Sequence, residues 1–162
     1  MKRARLLILI TGGSIAVWLV LCTAIGIVAV EGALHPVRLP LTPADDSRAQ
    51  NIAAQDRARI ADVEITSDDG VTLRAWIMRP IAGNGDAVIL LHGVADNRAG
   101  MLGNADMLLR HGFAVLLPDA RAHGASGGPI ATYGVKEADD VRRWYDWLAR
   151  SQAPRCIDGL GE

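Results

Sequence analysis

The sequence predicts an α/β domain with a mostly parallel sheet, preceded by one membrane-spanning helix. Three observations lead there. Residues 6–30 are 25 consecutive positions without a charged side chain. Apolar and polar residues alternate on both sides of Asp69-Gly70, the pattern of a β-hairpin. Two short apolar runs, 87–91 and 113–117, flank a helical pattern, and a third run starts at "RCIDGL". Buried parallel strands alternate with helices in this way.

The apolar segment comes first. As a helix it would be about 37 Å long, enough to cross a hydrocarbon core of about 30 Å with some tilt. Lys2, Arg3 and Arg5 precede it. The run is longer than the core of a cleavable signal, and "AVEGALHP" after it offers no clean A-x-A site. We therefore expect a basic cytoplasmic tip at 1–5 and a signal anchor at 6–30 in the lipid bilayer. The positive-inside rule then puts the N-terminus in the cytoplasm and the rest outside, as a single-pass membrane protein. Cys22 follows "LVL", but a lipidation motif wants a small residue where Leu21 stands; Cys22 reads as a buried small apolar residue.

Residues 31–162 carry 14 basic and 18 acidic side chains, a net −4. No basic patch or charge run points to nucleic acid. Residues 31–61 read as a juxtamembrane linker. "HPVRLPLTP" has three prolines in nine residues and should be extended. Thr42 then caps a short surface helix over about 43–59, with Pro43 at its first position and Asp45 and Asp46 in its first turn.

The α/β domain is expected over 62–162. Val63 and Ile65, then Val71, Leu73, Ala75 and Ile77, mark the inner faces of the hairpin. The run 87–91 is the first buried parallel strand. Met101, Leu102, Ala105, Leu108 and Leu109 share one helical face, and Gly112 ends that helix. The run 113–117 is the second parallel strand, closed by Pro118. A second helix covers about 135–150, with Ala138, Val141, Tyr145 and Leu148 facing inward. Pro154 breaks it before the third parallel strand. Ligands of such sheets collect at the carboxyl ends of the strands. Those ends carry "HGVADNR" after Leu91, "PDARAHGASGG" after Leu117 and "GLGE" at the last strand.

In this order and on these elements, "LLHGVADNR", "PDARAHGAS" and "GLGE" resemble the N-terminal half of the α/β-hydrolase superfamily. The closest likeness is to its membrane-anchored, serine-peptidase or esterase-like group. That group more often has glycine where Ala122 stands. The resemblance implies an acyl-enzyme mechanism on a small acyl or peptide substrate, cleaving an ester, thioester or peptide-like bond with no cofactor or metal. It also implies that Gly161 and Glu162 open a G-x-S-x-G nucleophile elbow. The serine is then expected directly after Glu162, and the acid and histidine later, so none of the triad lies in this chain. By the same likeness the oxyanion hole takes a backbone N–H from Val94, with Ala95 as the alternative. His92 and Gly93 shape that turn.

"GASGG" is literally G-x-S-x-G, but Ser126 stands nine residues past its strand and two glycines and a proline follow it. We read it as structural: Asp119, Arg121, His123, Gly124 and Ser126 hold a loop at the rim of the site by bonding one another and nearby backbone. His35 and His111 read as linker and helix-end residues. His92 and His123 lack partners for a metal. Asp139 and Asp140 read as dipole and solvent partners of their helix, and Trp144 and Trp147 as core. The expected enzyme is thus an anchored serine hydrolase of which this chain is an inactive N-terminal portion. The alternative is a non-catalytic anchored binding protein or a truncated product without function.

Overall fold

The computed structural model describes residues 2–161 and the side chains of residues 10–161. Glu162, expected to shape the site, and the side chains of the basic tip lie outside the described residues. The chain divides into two units, Met1–His35 and Pro36–Glu162.

The first unit is one helix, α1 (Lys2–Leu34). Its stretch Ile10–Leu34 has mean hydropathy 2.4 and is long and apolar enough to cross a membrane. Ser14 and Thr23 donate their hydroxyls to the carbonyls of Ile10 and Leu19, so these polar groups are satisfied inside the helix. Cys22 is exposed on this helix.

The second unit starts with an extended strap, then α2 (Pro43–Gln55). Thr42 caps α2 as expected. Its hydroxyl accepts the Asp45 N–H, and the Asp45 carboxylate accepts the Thr42 N–H, a reciprocal capping box worth about 1 kcal/mol. The helix stops four residues short of its expected end. Arg57, at φ 50°, turns the chain into β1 (Ala58–Thr66). Ala58 to Ala61 pair with Pro80 to Ile77 of β2 (Thr72–Pro80), and this pairing overrides the local helical pattern.

β1 and β2 form the predicted antiparallel hairpin, with Thr66 opposite Thr72. Gly70 sits at φ 81°, a conformation that glycine adopts without steric cost. β2 then pairs antiparallel with β4 (Ala114–Pro118), and β4 parallel with β3 (Ala87–Leu91). β5 (Ile157–Gly161) joins the other edge of β3 in parallel. The sheet order is β1-β2-β4-β3-β5.

Both faces of this sheet are covered. On one face α2 and α3 (Leu102–Arg110) press Ile52, Leu102, Ala105 and Leu109 onto Trp76, Met78, Val88 and Leu117. On the other, α4 (Glu137–Gln152) packs Trp144 and Leu148 onto Leu73, Ile77, Ile89 and Leu116. Burying each of the larger apolar side chains contributes about 1.5–3 kcal/mol. β2 therefore buries alternate residues on both sides, Leu73 and Ile77 one way, Trp76 and Met78 the other. The inner stripe of α4 differs from the expected one. Asp140, Trp144 and Leu148 are buried, while Ala138 and Tyr145 are exposed. The larger indole takes the core position, with Trp147 edge-on to it at 5.9 Å.

Candidate active site

The parallel strands β3 and β4 are neighbours, so the loops after Leu91 and after Pro118 meet at their carboxyl ends. A cavity of about 220 Å³ opens between them. Val94 and His123 line it with Leu91, Tyr133, Val141 and Trp144, a mostly apolar wall. Glu137 also lines it, but as a structural group. Burial pushes its carboxyl up. Bonds from the Thr132 hydroxyl and N–H and the Gly134 N–H outweigh that and hold it below the usual range.

Two buried charge pairs frame the cavity. Asp119 is 1% exposed and Arg98 2% exposed. Asp119 Oδ1 accepts the Arg98 backbone N–H at 2.7 Å, and Oδ2 accepts Arg98 Nε at 3.0 Å and the Ala125 N–H at 2.7 Å. One carboxylate thus fastens the two loops to each other. The Arg98 guanidinium lies 5.0 Å over the Trp76 ring. Gly124 is required beside this pair: a Cβ there would stand 2.3 Å from the Asp119 carboxyl carbon. The second pair is Arg121 with Asp140, bidentate at 2.7 and 2.8 Å. Arg121 also reaches Asp69 at 3.0 Å, and Lys136 joins at 2.8 Å. The Arg121 bond, with those from Lys136 and Ser67, holds the Asp69 carboxyl far below its usual range.

Two histidines stitch the same loops reciprocally. The Ala120 N–H donates to His92 Nε2 at 3.0 Å, and the Ala95 N–H donates to His123 Nε2 at 3.1 Å. A backbone N–H only donates, so both Nε2 atoms accept. Each Nδ1 faces a carbonyl, Gly93 O at 2.8 Å and Arg121 O at 2.9 Å, and donates to it. Both rings are therefore neutral with the proton on Nδ1. For His92, burial pushes the imidazole below its ordinary value, which favours the same form. The Ala95 N–H is engaged in this way, whereas the Val94 N–H has no acceptor among the described hydrogen bonds.

β5 completes the picture. Leu91 of β3 is in register with Gly161 of β5. Neighbouring strands lie about 4.8 Å apart. Gly161, the end of β5, therefore lies beside the end of β3, where the loop with His92 and Gly93 begins.

Residues 69–161 match the family model for X-Pro dipeptidyl-peptidase (S15 family). That is more than half of the chain. It belongs to this family. The chain is also similar to a Pyrococcus furiosus esterase of known structure, at 33% identity and TM-score 0.64 over 80% of this chain and 48% of that one. A Xanthomonas campestris α/β serine hydrolase without a lid shares the fold, at 21% identity and TM-score 0.56 over 64% of this chain and 50% of its own. Bacillus subtilis (strain 168) YqkD is 33% identical over 75 residues, 46% of this chain and 25% of its length. The S15-family chain thus spans about half of the solved esterase and a quarter of that curated relative. The fold is the α/β-hydrolase fold, represented by its N-terminal part.

Most residues expected at the site are there, with different partners. Asp119 and Arg121 do not bond each other: Asp119 takes Arg98, and Arg121 takes Asp140 and Asp69. Asp140 is therefore a buried ion-pair partner, not the solvated residue expected. Arg98 is a site residue that the sequence pattern alone does not single out, although it stands in "HGVADNR". The signal was a long cation inside an otherwise small-residue turn. Gly161 is the last described residue of β5, and Gly93 leaves open space where a Cβ would stand.

Ser126 is fully buried. Its hydroxyl donates to the Asp119 carbonyl at 2.8 Å and accepts the Arg74 N–H at 2.9 Å. Its proton and one lone pair are engaged, so it joins β2 to the loop after β4. Ser126→Ala orphans two backbone groups and is expected to cost about 1–3 kcal/mol in urea denaturation. Covalent labelling of the full-length enzyme by a serine-reactive probe is expected to persist in the variant.

Proposed function

We propose that this chain supplies the oxyanion-hole side of a serine hydrolase that cleaves an ester, thioester or peptide-like bond through an acyl-enzyme. One observation supports the reading: the Leu91–Gly161 register, in which β5 ends beside the strand end that leads into the loop of Val94. In the α/β-hydrolase arrangement the nucleophile stands on a sharp turn after this strand. A serine directly after Glu162, in "GE-S-x-G", would attack the acyl carbon next to Val94. The acid and the base histidine would come from later elements of the fold. Residues 1–162 alone are proposed to be inactive.

The mechanism then divides its labour. The incoming serine forms the bond to the acyl carbon, and its proton passes to the base histidine. The carbonyl oxygen takes up negative charge and accepts the N–H of Val94 and that of the residue after the serine. One such donor contributes about 2.7–4 kcal/mol to transition-state stabilisation. The leaving group departs protonated, and water releases the acid in a second round.

The family likeness and the esterase named among the similar structures support this chemistry. The apolar stretch of α1 supports the anchor, and Lys2, Arg3 and Arg5 before it support a cytoplasmic N-terminus with the catalytic unit outside. The full-length enzyme is expected to hydrolyse a p-nitrophenyl ester with a stoichiometric burst. Turnover without a burst or any covalent intermediate would argue for another mechanism, and an absence of hydrolysis for the binding-protein alternative.

A further inference from the structure

We propose that His123 is a positioning residue for the oxyanion hole: it captures the Ala95 N–H and so fixes the turn that presents the neighbouring Val94 N–H. This rests on the serine-hydrolase reading above. Val94 lines the cavity, and the next residue, Ala95, is the one that His123 holds. Ala95 sits at φ 60°, a left-handed conformation that is strained for a non-glycine residue. The 3.1 Å bond to His123 Nε2 offsets that strain and fixes the peptide between Val94 and Ala95.

His123 is itself held firmly enough to do this. It is 4% exposed. Its Nδ1–H donates to the Arg121 carbonyl, which pins the tautomer that makes Nε2 an acceptor. Arg121 is anchored in turn by its bidentate pair with Asp140. His92 makes the reverse stitch to Ala120 from the other loop, and the two rings lie 5.3 Å apart. The geometry therefore runs from a buried ion pair, through an imidazole, to the orientation of one peptide. A static loop held only by apolar packing would lack this directional restraint.

Two measurements test the proposal, one independent of activity. In this chain, hydrogen exchange by NMR should show the Ala95 amide protected and the Val94 amide unprotected. His123→Leu should remove the Ala95 protection while that of the β3 and β4 amides stays. In the full-length enzyme, His123→Leu should lower kcat about 10- to 100-fold, less than outright loss of an oxyanion donor. KM should stay within about threefold, because the lost interaction belongs to the transition state. His123→Gln places an amide oxygen near the position of Nε2 and should restore most of kcat. A kcat unchanged in His123→Leu, or equal losses in the leucine and glutamine variants, would overturn the proposal. So would an unprotected Ala95 amide in the unmodified chain. An enzyme inactive in every form, with Ala95 protected as expected, would instead fail the hydrolase reading and leave the restraint standing.

Discussion

Asp119→Ala lowers the stability of the α/β unit by about 3–5 kcal/mol, the usual cost of breaking a buried ion pair from one side. The substitution leaves Arg98 charged in a site where it is 2% exposed. It also orphans the backbone N–H groups of Arg98 and Ala125, which Asp119 now satisfies. The attraction of Arg98 for the Trp76 ring recovers only about 0.5–2 kcal/mol. Urea denaturation followed by tryptophan fluorescence reads the loss directly, since Trp76 and Trp144 lie on the two faces of the sheet. Asp119→Asn keeps the shape and one acceptor oxygen, so it should fall between alanine and the native residue. A loss below about 1 kcal/mol for alanine would mean that the loops are held by something other than this carboxylate.

Val94→Pro lowers kcat of the full-length enzyme about 10²- to 10³-fold relative to Val94→Ala, the penalty for deleting one oxyanion donor. Proline removes the N–H and alanine keeps it, so alanine controls for the loss of the isopropyl group. KM should differ little between the two, because the donor acts where charge develops. Equal rates for both would show that the Val94 N–H does not face the reacting oxygen.

Much of this structure could be read from local sequence pattern. The hairpin and the capping at Thr42 carry local turn and cap signals, and the strands at "AVILL" and "FAVLL" show as short continuous apolar runs. The end of α2 could not be read in this way, because Ala58 and Ile60 take their conformation from β2, some twenty residues away. The stripe of α4 misled for a related reason. Tyr145 and Ala138 fit the helical spacing, but Asp140 is drawn inward by Arg121 and brings Trp144 with it.

The site shows the same division. Its members were legible because His92, Gly93, Asp119, Arg121, His123 and Ser126 lie in two short motifs at strand ends. Their partners were not. Arg98 with Asp119, and Arg121 with Asp69, are pairings across 21 and 52 positions. They depend on which strands lie side by side, and spacing along the chain carries no record of that.

The most direct test of the account is mass-spectrometric mapping of a fluorophosphonate on the full-length enzyme. The account predicts one label per chain, on the serine directly after Glu162, and none on Ser126. A label on Ser126, or ester hydrolysis with no serine labelled at all, would contradict it.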